Sequence, residues 1–173
     1  MWIYEKKLEY PVKIKNPNPK LAQVIISQLG GPDGELGASM RYLHQRYSSP
    51  YNEVTGILTD IGTEELAHLE IVAAILHQLT RNLTEEQIKD SPFATYFVDH
   101  TTGVYPIAAS GVPFDMKYVG VKGDIITDLN EDLAADAAII KEQPLPKKSQ
   151  KPLKYKAFSH LGKTPGNRIP AIT

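Results

Sequence analysis

The pattern of apolar and polar positions predicts a mainly α-helical protein. Apolar residues within 21–26 repeat with a helical period, which the glycines and proline of 30–34 interrupt. Helix-forming sequence resumes over 35–47 and ends at the Ser-Ser-Pro of 48–50. A long second helix is then predicted from about 52 to 81. The two helices are joined by a short loop, so we expect them to run antiparallel.

The remaining chain shows weaker helical signals. Residues 82–86 resemble an N-cap followed by acidic residues of a first turn, which indicates a short helix. Residues 91–127 are rich in Gly, Pro, Thr and Asp and have no sustained period, so we expect a long loop with a functional or interface role. Helical character returns over 128–140.

One Glu and one His of the long helix are predicted to point into the core. With Ile57 set at 0° and about 100° per residue, His68 falls near 20° and Glu65 near 80°. Glu70 falls near 220°, on the opposite face, and Glu64 lies at the edge near 340°. The apolar residues that share the inward stripe with Ile57 are Leu58, Ile61, Leu69, Val72 and Leu76.

A buried carboxylate requires a strong partner, because removing it from water costs several kcal/mol. A metal ion bound by Glu65 and His68 provides one, and carboxylate with neutral imidazole suits Mn, Fe or Zn. The alternative is that Glu65 pairs with a buried Arg while His68 is a hydrogen-bonded core histidine. A single Glu-x-x-His pattern does not decide between the two.

Glu35 supports the metal interpretation. It begins the preceding helix, and antiparallel packing would bring it toward Glu65 and His68. Ferritin-like carboxylate proteins place a Glu on two helices and a Glu-x-x-His on two others. Tyr42, about 20° from Glu35 around the axis, is either a core aromatic or a residue that orients a ligand by hydrogen bonding.

Several motifs resemble the manganese catalases, and the opening residues 1–13 are similar to the short spore-coat members of that family. The likeness covers roughly 1–136. The motifs that carry it are Gly34-Glu35-Leu36, Arg41-Tyr42-Leu43, TDIGTEELAHLE at 59–70, GVPF at 111–114, Gly123-Asp124 and DLNEDLAA at 128–135.

This resemblance implies a ferritin-like helical bundle in which Glu35, Glu65 and His68 bind manganese, with Glu65 bridging two ions. Tyr42 stands where the family has its hydrogen-bonding tyrosine. The implied reaction is the disproportionation of hydrogen peroxide to water and dioxygen. The implied partners are further copies of the chain or other spore-coat proteins, and the implied location is the spore coat.

The sequence departs from the family after Ala135. The family has a ligating Glu where this chain has Asp136, whose carboxylate would fall short by about 1.5 Å. The rest of the third helix and the fourth helix are not recognisable. We therefore expect an incomplete bundle: two helices, a long loop and the start of a third helix, with one metal ion or none. The ending looks truncated or frame-shifted.

Charge divides the chain into a predicted domain over 1–140 and a basic tail over 141–173. The tail holds eight Lys/Arg against one Glu, a net charge of +7, although the whole chain carries −1. With five prolines as well, we expect it to be extended or disordered. Without interleaved aromatics or a recognition motif we expect no nucleic-acid binding.

Cysteine is absent, which excludes disulfides and thiolate chemistry. We find neither a signal-peptide pattern nor an apolar run of the roughly 18 residues that span a bilayer, and expect an intracellular protein. Since two helices cannot close a four-helix bundle, we also expect Leu58, Val72 and Leu76 to stay exposed unless a partner covers them. The two functions that remain are a manganese catalase and a structural spore-coat protein with a vestigial site; an unrelated helical domain is the third reading.

Overall fold

The computed structural model describes residue 5 and residues 7–97 and 103–142, with side chains as far as Ala135 in the last range. Two short 3-10 helices accompany the α-helices of these ranges, and their one pairing of extended backbone is an isolated bridge between Phe97 and Val104. The mainly α prediction is confirmed. The α-helices are α1 Pro19–Ile25, α2 Ser27–Gly30, α3 Glu35–Gln45, α4 Asn52–Thr80, α5 Glu85–Lys89 and α6 Ile125–Glu142, and the 3-10 helices are Ala94–Tyr96 and Met116–Tyr118.

Local capping explains where the shorter helices begin. Thr84 and Gln87 form a reciprocal capping box at the start of α5, as the acidic 82–86 pattern indicated. Asp124 accepts a hydrogen bond from the backbone N–H of Thr127 at 2.8 Å. Because this side chain satisfies an N–H of the first turn, α6 begins at Ile125, three residues before its predicted start.

The helices α3 and α4 form the antiparallel pair that the short loop predicted. The Ser39 hydroxyl donates a buried hydrogen bond to the carbonyl oxygen of Gly62 at 2.7 Å. A Cβ atom at Gly62 would lie 2.9 Å from Cγ of Leu43, so a side chain at this position would displace Leu43. The two backbones are therefore held at a fixed register over this part of the pair.

The expectation of an exposed inward stripe on α4 is wrong. Leu58, Val72 and Leu76 are each buried. Residues of α1 and of the segment after α5 cover the C-terminal half of α4, because that segment packs back onto α4 and is not a free loop. This core consists of Ala22, Ile26, Val72, Leu76, Leu79, Phe93 and Tyr96.

The prediction that Ile57 lies on the buried face of α4 was also wrong. Ile57 is 43% exposed, whereas its neighbour Leu58 is 3% exposed. The buried positions instead step by three or four residues along one seam, which keeps them facing α3 and α1. They are Leu58, Gly62, Glu65, His68, Val72, Leu76 and Leu79, and Ile71 is buried beside Val72.

The long segment 91–127 contributes to the core where it follows α5. The Tyr96 hydroxyl donates to the carbonyl oxygen of Ala109 at 2.7 Å, and the Ala109 N–H donates to the Ser27 hydroxyl at 2.7 Å. A Cβ at Gly30 would lie 2.3 Å from the carbonyl oxygen of Pro106. The segment is thereby fixed against α2. No helix of the described residues is long and apolar enough to cross a membrane.

Candidate metal centre

Three polar side chains meet between α3 and α4. Glu35 is the first residue of α3, while Glu65 and His68 lie in the middle of α4. Ser39 and Gly62 contact each other, and the helices are antiparallel. Glu35, one turn before Ser39, therefore lies beside Glu65, about one turn after Gly62. The structure thus brings together the Glu and the Glu-x-x-His pair that the sequence singled out.

The cluster is both buried and compact. Glu35, Glu65 and His68 are 5%, 4% and 6% exposed. One donor atom from each lies within 4.8 Å of the others. Nδ1 of His68 lies 2.7 Å from Oε2 of Glu65 and 3.8 Å from Oε2 of Glu35. Two carboxylates therefore converge on one imidazole nitrogen, Nδ1 of His68.

Burial and the neighbouring carboxylates act in opposite directions on the pKa of His68. Burial lowers the pKa of His68, but the hydrogen bond to Glu65 and the charges of Glu65, Glu64 and Glu9 raise it, and the net shift is upward. The surrounding carboxylates therefore favour the protonated form of the imidazole. A metal ion would replace that proton, since it requires the neutral ring.

The contacts of Arg41 lie at Asp33 and Tyr118. This arginine of α3 is 2% exposed, lies 3.8 Å from Oδ1 of Asp33 and donates to the carbonyl oxygen of Tyr118 at 3.2 Å. The alternative of a Glu65–Arg pair thus gains no support from Arg41. The other half of that alternative, a core histidine hydrogen-bonded to Glu65, agrees with the 2.7 Å between Nδ1 of His68 and Oε2 of Glu65.

Tyr42 lies in an apolar cluster beside the centre. It is 5% exposed and packs in a cluster with Ala38 and Leu58. This placement agrees with a core aromatic. Its proposed role in orienting a ligand stays a prediction.

Asp136 falls within α6, but its side chain lies outside the described residues. Its weak assignment as a ligand therefore stays a prediction. The same holds for the basic tail beyond the end of α6.

The donors present fit a divalent transition metal. Carboxylate oxygens and a neutral imidazole nitrogen suit Mn, Fe or Zn, and thiolate-dependent metals are excluded by the absence of cysteine. The pairwise separations, all below 4.8 Å, are close to what ligands on opposite sides of one ion span. Among the described side chains, this group supplies donors for one ion and too few for two.

A second group of possible ligands was only partly anticipated. Glu9, Glu64 and His68 also place donor atoms within 4.8 Å of one another. The helical projection put Glu64 at the edge of the stripe, and its side chain is 40% exposed. Glu9 was missed because it precedes the helices, where no periodicity indicates which way a side chain points.

The fold and the site define a helical protein with a buried cluster of two carboxylates and one histidine. A family model described as "Manganese containing catalase" matches residues 1–145. The chain belongs to this manganese-containing catalase family, so the resemblance of the motifs and the ferritin-like fold class are confirmed.

Sequence similarity to individual proteins supports this assignment. Protein CotJC of Bacillus subtilis (strain 168) is 51% identical over 136 residues, which are 79% of this chain and 71% of CotJC. A probable manganese catalase of Clostridium acetobutylicum is 34% identical over 138 residues, 79% of this chain and 61% of that protein. The manganese catalase of Lactiplantibacillus plantarum is matched over only 56% of its length.

A solved structure has the same fold. KatB, a manganese catalase from Anabaena, superposes with a TM-score of 0.73 at 26% identity, covering 100% of this chain and 86% of KatB. The chain thus has the helical arrangement of KatB, and its matches span 61% and 56% of the Clostridium and Lactiplantibacillus proteins.

Proposed function

We propose that the chain binds manganese through Glu35, Glu65 and His68, and that this centre serves the disproportionation of hydrogen peroxide to water and dioxygen. The observation that carries the proposal is the convergence of three buried donors within 4.8 Å in a chain of this family. Two carboxylates in an apolar interior need a compensating cation, and the metal provides it more strongly than a single imidazolium does.

Each residue has a defined task in the proposed centre. Glu35 and Glu65 supply the negative charge that retains the ion, and Nδ1 of His68 supplies a neutral donor once its proton has left. By the resemblance to the family, Glu65 would be the bridging ligand if a second ion binds. A bound pair of manganese ions would supply the two-electron redox couple for peroxide. Tyr42 would orient a carboxylate by hydrogen bonding.

One ion per chain is the expected stoichiometry. The described residues of the inner cluster are too few to hold two, and Asp136 would be about 1.5 Å shorter in reach than the glutamate of the family. A second ion requires donors from a neighbouring subunit or from residues outside those described. Since catalases of the family use two ions, the chain's own activity rests on such donors.

Dioxygen evolution tests the proposed reaction. The chain is freed of metal with a chelator, reloaded with manganese and mixed with hydrogen peroxide at an oxygen electrode. We expect dioxygen from the reloaded chain and none from the His68→Ala variant, with His77→Ala, which removes an exposed histidine of the same helix, as the control. Dioxygen release that is the same with and without His68 would contradict the proposal.

A structural role in the spore coat is the second candidate, supported by the resemblance to short spore-coat members and by an exposed apolar face on α6. Ile126 and Leu133 are 62% and 64% exposed, and Leu129, which shares their face at helical spacing, is 37% exposed. We propose that copies of the chain associate through this face.

Sedimentation analysis tests the association. We expect an oligomer that Leu133→Glu dissociates, while Ile57→Glu, at another exposed apolar position, leaves it intact. A monomer before any substitution would contradict self-association and would leave other coat proteins as the candidate partners.

A further inference from the structure

The segment before α1 lies against the C-terminal half of α4. Gln78 of α4 uses both ends of its side-chain amide there. Its Nε2 donates to the carbonyl oxygen of Val12 at 2.8 Å, and its Oε1 accepts from the N–H of Ile14 at 2.8 Å. A C=O and an N–H two residues apart lie on the same edge of an extended chain. The Gln78 amide therefore pairs with this edge as a neighbouring strand would.

Two further hydrogen bonds fix the same segment to α4. Nη2 of Arg81 donates to the carbonyl oxygen of Ile14 at 2.7 Å. The N–H of Asn18 donates to the carbonyl oxygen of Leu79 at 2.7 Å. The half-buried side chain of Ile14 also packs against the core between α1 and α4. These contacts with α4 lie at residues 12–18 of the segment.

The other end of the segment reaches the metal centre. A carboxylate oxygen of Glu9 lies within 4.8 Å of a carboxylate oxygen of Glu64 and of a ring nitrogen of His68. His68 precedes Gln78 by about 15 Å along α4, a distance that about five extended residues span. The segment thus follows α4 from the level of His68 to that of Gln78. It does so on the solvent side, where the side chain of Glu64 is 40% exposed and that of His68 only 7%.

Burial of the ligands makes access to the centre depend on motion. Each of the three ligands is at most 6% exposed, so an ion reaches them only when a covering element moves. The helices α3 and α4 are held together by the Ser39–Gly62 hydrogen bond and by close packing. Residues 9–11, in contrast, are exposed and belong to no helix. Segments with few buried contacts open at a lower free energy than a packed helix pair does.

We propose that residues 9–15 form a strap that closes the solvent side of the metal centre, and that Gln78 and Arg81 are the positioning residues that hold it shut. With the strap closed, Glu9 lies beside the His68 ring. When the strap lifts, the side of the ring that faces Glu64 opens to solvent, and manganese enters or leaves. The role in manganese exchange rests on the proposed function, whereas the cover over His68 does not.

Chemical modification of His68 in the metal-free chain tests the cover. Diethyl pyrocarbonate acylates accessible imidazole nitrogens, and peptide mass spectrometry measures the reaction of each histidine separately. Gln78→Leu keeps most of the side-chain volume but removes both hydrogen bonds to the strap. We expect His68 to react roughly 10-fold faster in this variant, because two hydrogen bonds no longer oppose opening. The exposed His44 of α3 is the internal control and should react at the same rate in both proteins.

Two more variants distinguish the strap from a general loosening of the fold. Arg81→Met removes only the donor to Ile14, so His68 should again react faster, by a smaller factor. Gln87→Leu removes a glutamine that accepts from the Thr84 N–H at 2.8 Å, far along the chain from the strap, and should leave the His68 rate unchanged. If neither Gln78→Leu nor Arg81→Met accelerates the reaction while circular dichroism is unchanged, the strap is wrong. An equal acceleration in Gln87→Leu would also overturn it.

Manganese release tests the role of the strap in exchange. The chain and its variants are loaded with Mn²⁺ and mixed with excess chelator, and free Mn²⁺ is followed by electron paramagnetic resonance. We expect Gln78→Leu to release manganese roughly 10-fold faster than the unaltered chain. The two should bind equal manganese at saturation, and Gln87→Leu should release it at the unaltered rate.

The outcomes separate the strap from the proposed centre. If all these proteins bind manganese and release it at one rate, the role of the strap in exchange is wrong and the centre stands. If none of them binds manganese, the proposed centre and the exchange role are both wrong. Faster modification of His68 in Gln78→Leu and Arg81→Met alone would still support the cover over that ring.

Discussion

The Ser39 hydroxyl donates a 2.7 Å hydrogen bond to the carbonyl oxygen of Gly62, and this contact sets the register of α3 against α4. The Gly62 position admits no side chain without displacing Leu43, so the helices meet closely there. One turn away, the same register brings Glu35 beside Glu65 and His68. The metal centre therefore depends on a packing contact that contains none of its ligands.

Removing the Ser39 hydroxyl should loosen that register. We expect Ser39→Ala to lower the free energy of unfolding by about 0.5–1.5 kcal/mol, since a buried hydrogen bond is lost. Urea unfolding measures the change. Ser48→Ala, which removes a hydroxyl bonded to Gln45 at the end of α3 in a more exposed place, should change stability by less than about 0.5 kcal/mol. Equal losses in both variants would contradict the role of Ser39.

Two glycine substitutions should have opposite effects. Gly30→Ala places a methyl group against the backbone of Pro106 and should destabilise by about 1–3 kcal/mol. Gly56→Ala, in an exposed turn of α4 with nothing within 4 Å, should stabilise by about 1 kcal/mol through helix propensity. Thermal unfolding monitored by circular dichroism compares them. A Gly30→Ala variant as stable as Gly56→Ala would show that the 103–109 segment does not rest on α2.

The helices of the site were predictable because they depend on local patterns. Glycine, proline and serine residues mark the breaks at 30–34 and 48–50, and a capping residue with acidic neighbours marks the start of α5. The cover over Val72 and Leu76 was not predictable, because it comes from Phe93 and Tyr96 in a segment without periodicity. Ile57 was misplaced since apolar character alone does not reveal which side of a helix a neighbour occupies.

The stability of the metal-free chain should depend on pH through His68. Its pKa in the folded state is raised, by Glu65, Glu64 and Glu9 against the opposing effect of burial. The resulting stabilisation is fully present below the unfolded pKa, about 6.5, and is lost as pH rises through the higher folded pKa. Urea unfolding between about pH 5 and pH 9 should show this loss. His68→Gln should remove that part of the pH dependence. His77→Gln, at an exposed position, should keep it. If the free energy of unfolding changed with pH in the same way for the unaltered chain and for His68→Gln, the assignment would be contradicted.

Some residues of the candidate site could be predicted from the sequence and others could not, as for the fold. Glu65 and His68 follow from helical period and the cost of burying a carboxylate, and Glu35 follows from antiparallel packing. Glu9 could not be foreseen, because its approach to His68 depends on how the N-terminal segment crosses the helices. The number of bound ions could not be predicted from the sequence motifs either, since it depends on ligands that those motifs do not contain.

Manganese content after dialysis tests the central claim most directly. The chain and its Glu65→Ala, His68→Ala and Glu70→Ala variants are loaded with Mn²⁺, dialysed against metal-free buffer and measured by elemental analysis. We expect the unaltered chain and Glu70→Ala to retain about one manganese per chain, and the other two variants to retain none. Equal manganese in all four proteins, or none in any, would contradict a centre built from Glu35, Glu65 and His68.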